Sequence, residues 1–157
     1  MGQRAQQLAG QLEQANDEVI GIVETCGEGT WQATCPVEGW GANVAAHHIA
    51  VGHQMLAGLT QMLAAGQQPP PMDTSTGDQM NAQHAKDFAN CSKQEALEAL
   101  RKNGDAAVAL VRGLSDEQLD RSGNVFGQDF TTEQFIQYVL IGHTQEHLGS
   151  IKAATGA

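Results

Sequence analysis

Apolar side chains recur along much of this chain at alternating steps of three and four, the spacing of one helix face and not the alternation of a strand. Leu8, Leu12, Ala15, Val19, Ile22 and Cys26 mark a first helix over residues 3–26. Val44, His48, Val51, Met55, Leu59 and Met62 mark a second over residues 42–65. It ends near Gly66, and Pro69-Pro70-Pro71 forbids its continuation. Leu97, Leu100, Ala107, Val108 and Val111 give the buried face of a third over residues 93–113. Ser92-Lys93-Gln94-Glu95 opens that helix in the form of a capping box, and Gly113 is placed to close it. Ile136, Val139, Leu140, His143, His147 and Ile151 form the stripe of a fourth over residues 131–154, opened by Thr131 and Gln134.

The connections read differently. Residues 27–41 hold four glycines, Pro36, Trp31 and Trp40, and predict a loop whose tryptophans cover one end of the core. Residues 73–77 are turn-like, and a shorter helix is expected over 78–90. Ser115-Asp116-Glu117-Gln118 caps one further short turn; residues 123–129 are irregular, with 125–130 able to run locally extended. Nothing repeats at a fixed period. Four long amphipathic helices predict an all-α, four-helix bundle with extra helical turns in its connections.

Composition narrows the function. The 157 residues suffice for a single domain with a real core, and no shift in composition marks a second. Eight Lys and Arg against 18 Asp and Glu give a formal charge of −10, which disfavours nucleic acid and anionic membranes as partners. No stretch has signal-peptide or membrane-spanning character, so a cytoplasmic location is expected. Cys26, Cys35 and Cys91 are odd in number, lack a C-x-x-C pair, and fit buried thiols in a reducing compartment.

The chemistry lies in the histidines. His143 and His147 stand four residues apart, which puts two imidazoles on one helix face. At about 100° per residue, both point with Ile136 and Val139 toward the core side of the last helix. On the second helix His48 lies within about 60° of Val44, Val51, Met55, Leu59 and Met62; His47 falls to the flank, and His53, about 140° away, is expected to face solvent. One buried histidine is usually a hydrogen-bonded core residue. Three converging ones are better satisfied by a single divalent metal, and three protein ligands leave a coordination position open for water or a substrate thiolate. His143-Thr144-Gln145-Glu146-His147 also fits the H-x-x-E-H pattern of inverted zinc proteases. Those enzymes need a third ligand well downstream, whereas ten residues follow His147. Glu146 is the candidate base or supporting carboxylate, set against an ordinary exposed glutamate.

Two stretches, Gly39-Trp40-Gly41-Ala42-Asn43-Val44-Ala45-Ala46-His47-His48-Ile49-Ala50 and His143 through Ile151, resemble the DinB superfamily, which includes the N-terminal domain of mycothiol-dependent maleylpyruvate isomerase and other low-molecular-weight-thiol S-transferases. The resemblance covers nearly the whole chain. It implies a four-helix bundle and a divalent metal, often zinc or nickel, held by His48, His143 and His147. It also implies a small-molecule thiol and an electrophile as partners. Isomerase-type members carry an additional C-terminal domain that is not in this sequence.

Three functions fit these residues: a metal-dependent thiol S-transferase, a non-catalytic metal- or small-ligand-binding module, and a structural bundle. A homodimer is expected because Ala45, Ala46 and Gly52 would permit close approach of a second subunit, though they could equally serve internal packing. The ligand-binding walls are expected from residues 66–78 and 114–130, with Trp31, Trp40 and Phe126 at the mouth or capping the core. Cys35 and Cys91 have no paired base and are expected to be structural.

Overall fold

The computed structural model describes residues 2–157 and forms the expected bundle. Its four long members are α1 (Gln3–Thr25), α3 (Ala42–Ala64), α5 (Lys93–Arg112) and a last helix ending in α8 (Gly142–Thr155). Shorter helices α2 (Glu28–Trp31), α4 (Thr74–Asp87), α6 (Asp116–Asp120) and α7 (Thr132–Gln134) lie in the connections. Helix α5 packs along both α1 and α3, and α8 closes the ring between α3 and α1. The consecutive long helices α1 and α3 are therefore diagonal partners, which leaves the α3–α8 seam free to carry the histidines.

Two apolar clusters fill the interior. One gathers Leu8, Leu12, Leu56, Val108 and Phe135; the other gathers Val19, Trp31, Ile49, Leu100 and Ile151. Between them in sequence each long helix places a buried polar or small residue: Asn16 in α1, His53 in α3, Gly104 in α5 and Thr144 in α8. His53 bonds Asn16 at 2.9 Å, and Asn16 Nδ2 donates to the Leu100 carbonyl at 3.2 Å. The bundle thus has a polar layer at mid-height.

That layer corrects one expectation. His53 is fully buried and does not face solvent, whereas Val51 and Met55 are each 37% exposed. The buried face of α3 runs through Ala45, Ile49, Leu56 and Leu63 and is centred about 80° round from His48. Val51 and Met55 border an open cleft, and apolar patterning alone cannot tell a cleft wall from a core. Ala45 and Ala46 are fully buried and Gly52 is buried beside them, so these residues serve internal packing and lend no support to a dimer.

Two connections and the last helix differ from expectation in detail. Helix α4 begins four residues early because Asp73 accepts a hydrogen bond from Thr76 N at 2.7 Å and acts as its N-cap. The segment read as irregular is a hairpin, β1 (Ser122–Val125) paired antiparallel with β2 (Gln128–Thr131). Its two-residue loop, Phe126-Gly127, has φ of 54° and 78°, both positive as a tight type I′ hairpin turn requires. The last helix is not uniform either. After the Thr131/Gln134 capping box, Phe135–Ile141 winds as π-helix before α8 begins at Gly142. Such wide turns are rare and cluster at functional sites; this one immediately precedes His143.

Candidate metal centre and its cleft

His48 comes from α3, and His143 and His147 come from the first turns of α8. Their rings meet edge-on or tilted, with centroids 4.8 Å (His48–His143), 4.7 Å (His48–His147) and 4.6 Å (His143–His147) apart. One nitrogen from each lies within 4.8 Å of the others, and Nε2 of His143 stands 2.9 Å from Nε2 of His48. The close approach depends on Gly52: a Cβ there would sit 2.4 Å from His143 Cε1.

The third ring is held from behind. Nδ1 of His147 donates to Glu38 Oε1 at 2.5 Å, and Ser150 Oγ donates to Glu38 Oε2 at 2.6 Å. Glu38 reaches that position through a tight turn in which Cys35 N bonds the Trp40 carbonyl at 2.7 Å and Gly39 N bonds the Cys35 carbonyl at 2.9 Å. Gly39 takes φ of 75°, a conformation that suits glycine. At the end of the same turn, Trp40 stacks on His147 and meets His48 edge-on. Burial would raise the Glu38 pKa, but the hydrogen bonds from Ser150 and His147 outweigh it and hold the carboxyl below its usual range. An ionised Glu38 can only accept, so it fixes a proton on Nδ1 of His147 and leaves Nε2 as the nitrogen on offer to a cation.

Burial, reinforced by the neighbouring histidines, depresses the other two rings, His48 to about 3 and His143 to about 2. Both are therefore neutral at ordinary pH. Crowding these rings together leaves a polar atom unsatisfied: within the cluster, Nδ1 of His143 is buried with no partner. Each such atom costs about 1–3 kcal/mol. A tetrahedral cation with bonds of about 2.0–2.1 Å would hold its nitrogens a little over 3 Å apart, close to the observed spacing of His48 and His143. The donor set therefore fits a divalent transition cation with at least one position open to the cleft.

That cleft has a volume of about 620 Å³ and carries the three histidines at its base. Met55, Leu56, Met72, Phe126 and Val139 form apolar walls, and Asp73, Thr74, Asp78 and Asn81 form the rim contributed by α4 and its cap. Helix α4 has no buried residue. It is fastened at its far end, where His84 Nε2 meets His47 Nδ1 at 2.9 Å, Phe88 stacks on His47 at 3.8 Å, and Asn43 Nδ2 donates to the Ala89 carbonyl at 2.9 Å.

The structure brings His48, His143 and His147 together and places Glu146 elsewhere, exposed on the outer face of α8. Glu38 and His84 escaped the sequence reading. Glu38 sits in a loop, where helix periodicity says nothing, although its position beside Gly39-Trp40 was a signal; His84 sits on the weakly amphipathic α4. Trp31 is buried, with Nε1 donating to the Cys91 carbonyl at 2.9 Å, so it caps the core, while Trp40 touches the histidines and Phe126 lines the cleft. Burial raises the Cys35 thiol and pushes Cys91 up to about 12, which leaves both protonated at neutral pH.

The sequence matches the DinB superfamily over residues 11–151, and the chain belongs to that family. Among solved structures it is similar to YfiT from Bacillus subtilis, described as a probable metal-dependent hydrolase with an unusual four-helix bundle topology. The TM-score is 0.79 at 17% identity, covering 99% of this chain and 89% of that one. It is also similar to the DinB-like protein YjoA of Bacillus subtilis, with a TM-score of 0.65 at 15% identity, covering 96% of this chain and 90% of that one. At these identities the likeness is one of fold. No curated protein matches the chain in sequence. No helix among the described residues is long and apolar enough to cross a membrane.

Proposed function

We propose that His48, His143 and His147 hold a divalent transition metal, zinc or nickel, and that the cleft above them transfers a small thiol to an electrophile. The observation that carries the metal reading is the Glu38–His147 pair, because a carboxylate behind an inward-facing imidazole is how proteins orient a metal ligand. A cation bound there would supply the positive charge that lowers a thiol's pKa into the physiological range.

The surrounding residues suit thiol chemistry. Hydrolysis would use a water acidified by the metal, and a nearby base would assist its attack. Among the described residues, the carboxylate hydrogen-bonded to the histidine cluster is Glu38, and both of its oxygens are engaged by His147 and Ser150. A thiol, already acidified, needs only to release its proton to solvent through the open cleft. Met55 and Met72 offer polarizable walls for a sulfur-bearing ligand. YfiT's description as a probable metal-dependent hydrolase keeps hydrolysis as the second reading.

The test is turnover of the zinc- or nickel-loaded protein with a panel of small thiols against an alkylating or epoxide electrophile, beside ester and amide substrates. Thioether formation that depends on both metal and thiol is the expected result. Ester or amide hydrolysis without any thiol dependence would contradict it.

A further inference from the structure

Resting on that reading, the cleft says which thiols it would accept. Its lining holds the three histidines, the apolar side chains of Met55, Leu56, Met72, Phe126 and Val139, and the exposed carboxylates of Asp73 and Asp78. No Lys or Arg lines it among the described residues. The Asp73 carboxylate is fixed in place, since it caps α4 by accepting from Thr76 N at 2.7 Å, and that bond holds its pKa below the ordinary value. A ligand bound through sulfur at the histidines extends into a cleft that Met55, Phe126 and Val139 share with these two carboxylates.

We propose that the cleft selects thiols whose body away from sulfur is uncharged or cationic, that Asp73 and Asp78 exclude thiols bearing a distal carboxylate, and that the apolar walls grip the intervening chain. The formal charge of −10 acts in the same direction on the approach of an anionic ligand.

The experiment uses the full chain loaded with cobalt(II), whose sulfur-to-metal charge-transfer absorption reports thiol binding without turnover. Three probes share a six-carbon chain and differ at the end group: 6-mercaptohexanol, 6-aminohexanethiol and 6-mercaptohexanoic acid. The acid should bind about tenfold more weakly than the alcohol, as expected for repulsion from two partly screened carboxylates, and the amine at least as tightly as the alcohol. In the Asp73→Asn/Asp78→Asn double variant, where asparagine preserves the cap, the gap between acid and alcohol should fall below about threefold. Added salt should narrow the gap in the unmodified protein and leave the variant unchanged. Equal binding of acid and alcohol, or a gap that survives the double substitution, would overturn the charge selection while leaving the thiol reading standing. Absence of the absorption with all three probes, in protein that retains its cobalt, would overturn both.

Discussion

Glu38 Oε1 accepts a 2.5 Å hydrogen bond from His147 Nδ1, linking a loop ahead of α3 to a helix 109 residues later. The bond fixes the imidazole's tautomer and its rotation, and Ser150 holds the other carboxylate oxygen at 2.6 Å. In this account Glu38 positions a ligand and does not itself touch substrate. Glu38→Ala should weaken zinc binding by about 10- to 100-fold, the usual cost of losing such support. Glu38→Gln, which can still accept from Nδ1, should recover part of that loss. Competition titration with a chromophoric chelator measures both, and unchanged affinity in Glu38→Ala would sink the positioning role.

Gly52 is the second structural requirement. A methyl group there would come within 2.4 Å of His143 Cε1, so the ring or the α3 backbone must move. Gly52→Ala should destabilise the protein by about 1–3 kcal/mol, the range for overpacking a tight interior, and should also lower metal affinity. Gly58→Ala is the control, because nothing lies within 4 Å of a Cβ at that site of the same helix. It should hold or raise stability, since alanine is the better helix former. Urea unfolding of the two variants decides the matter.

Much of this arrangement was legible in the sequence, and the reasons for the rest are physical. The four long helices and their ends followed from periodicity, prolines and caps, and His48, His143 and His147 followed from their places on two faces. The assignment of interior and exterior on α3 failed at His53, Val51 and Met55, because a helix flanked by α5, α8 and a cleft has no single polar face. The π-helical turns of Phe135–Ile141 carry no residue pattern that distinguishes them from α-helix. Glu38 was invisible because its role depends on a turn that exists only in three dimensions, and α4 started early because Asp73 reads equally as turn or cap.

The polar layer gives stability a pH dependence. Burial lowers His53 from its ordinary 6.5 to about 4. Between those values the unfolded chain binds a proton that the folded protein does not, so stability is present above pH 6.5 and is lost as pH falls toward 4. The share due to His53 is about 3 kcal/mol over that window. Urea unfolding of the metal-free protein at a series of pH values should show this loss, and His53→Asn should flatten the curve by up to about one proton. An unaltered slope in the variant would contradict the assignment.

Phe126 holds a backbone conformation unfavourable for an aromatic residue, with φ of 54°, while presenting its ring to the cleft. Strain of this kind costs on the order of 1 kcal/mol and is commonly kept where a side chain serves a site. Asparagine tolerates the left-handed region far better. Phe126→Asn should therefore preserve or raise the melting temperature while weakening the binding of apolar-chain thiols several-fold. A lower melting temperature with unchanged binding would assign the ring to the fold instead.

The most direct test of the central claim is metal content. The protein, produced without a histidine tag and dialysed against zinc or nickel, is compared by elemental analysis with a His48→Ala/His143→Ala double variant. Close to one metal per chain in the native protein, lost in a variant that remains helical by circular dichroism, is the result this account predicts. No bound metal in the native protein after incubation with either ion would contradict it.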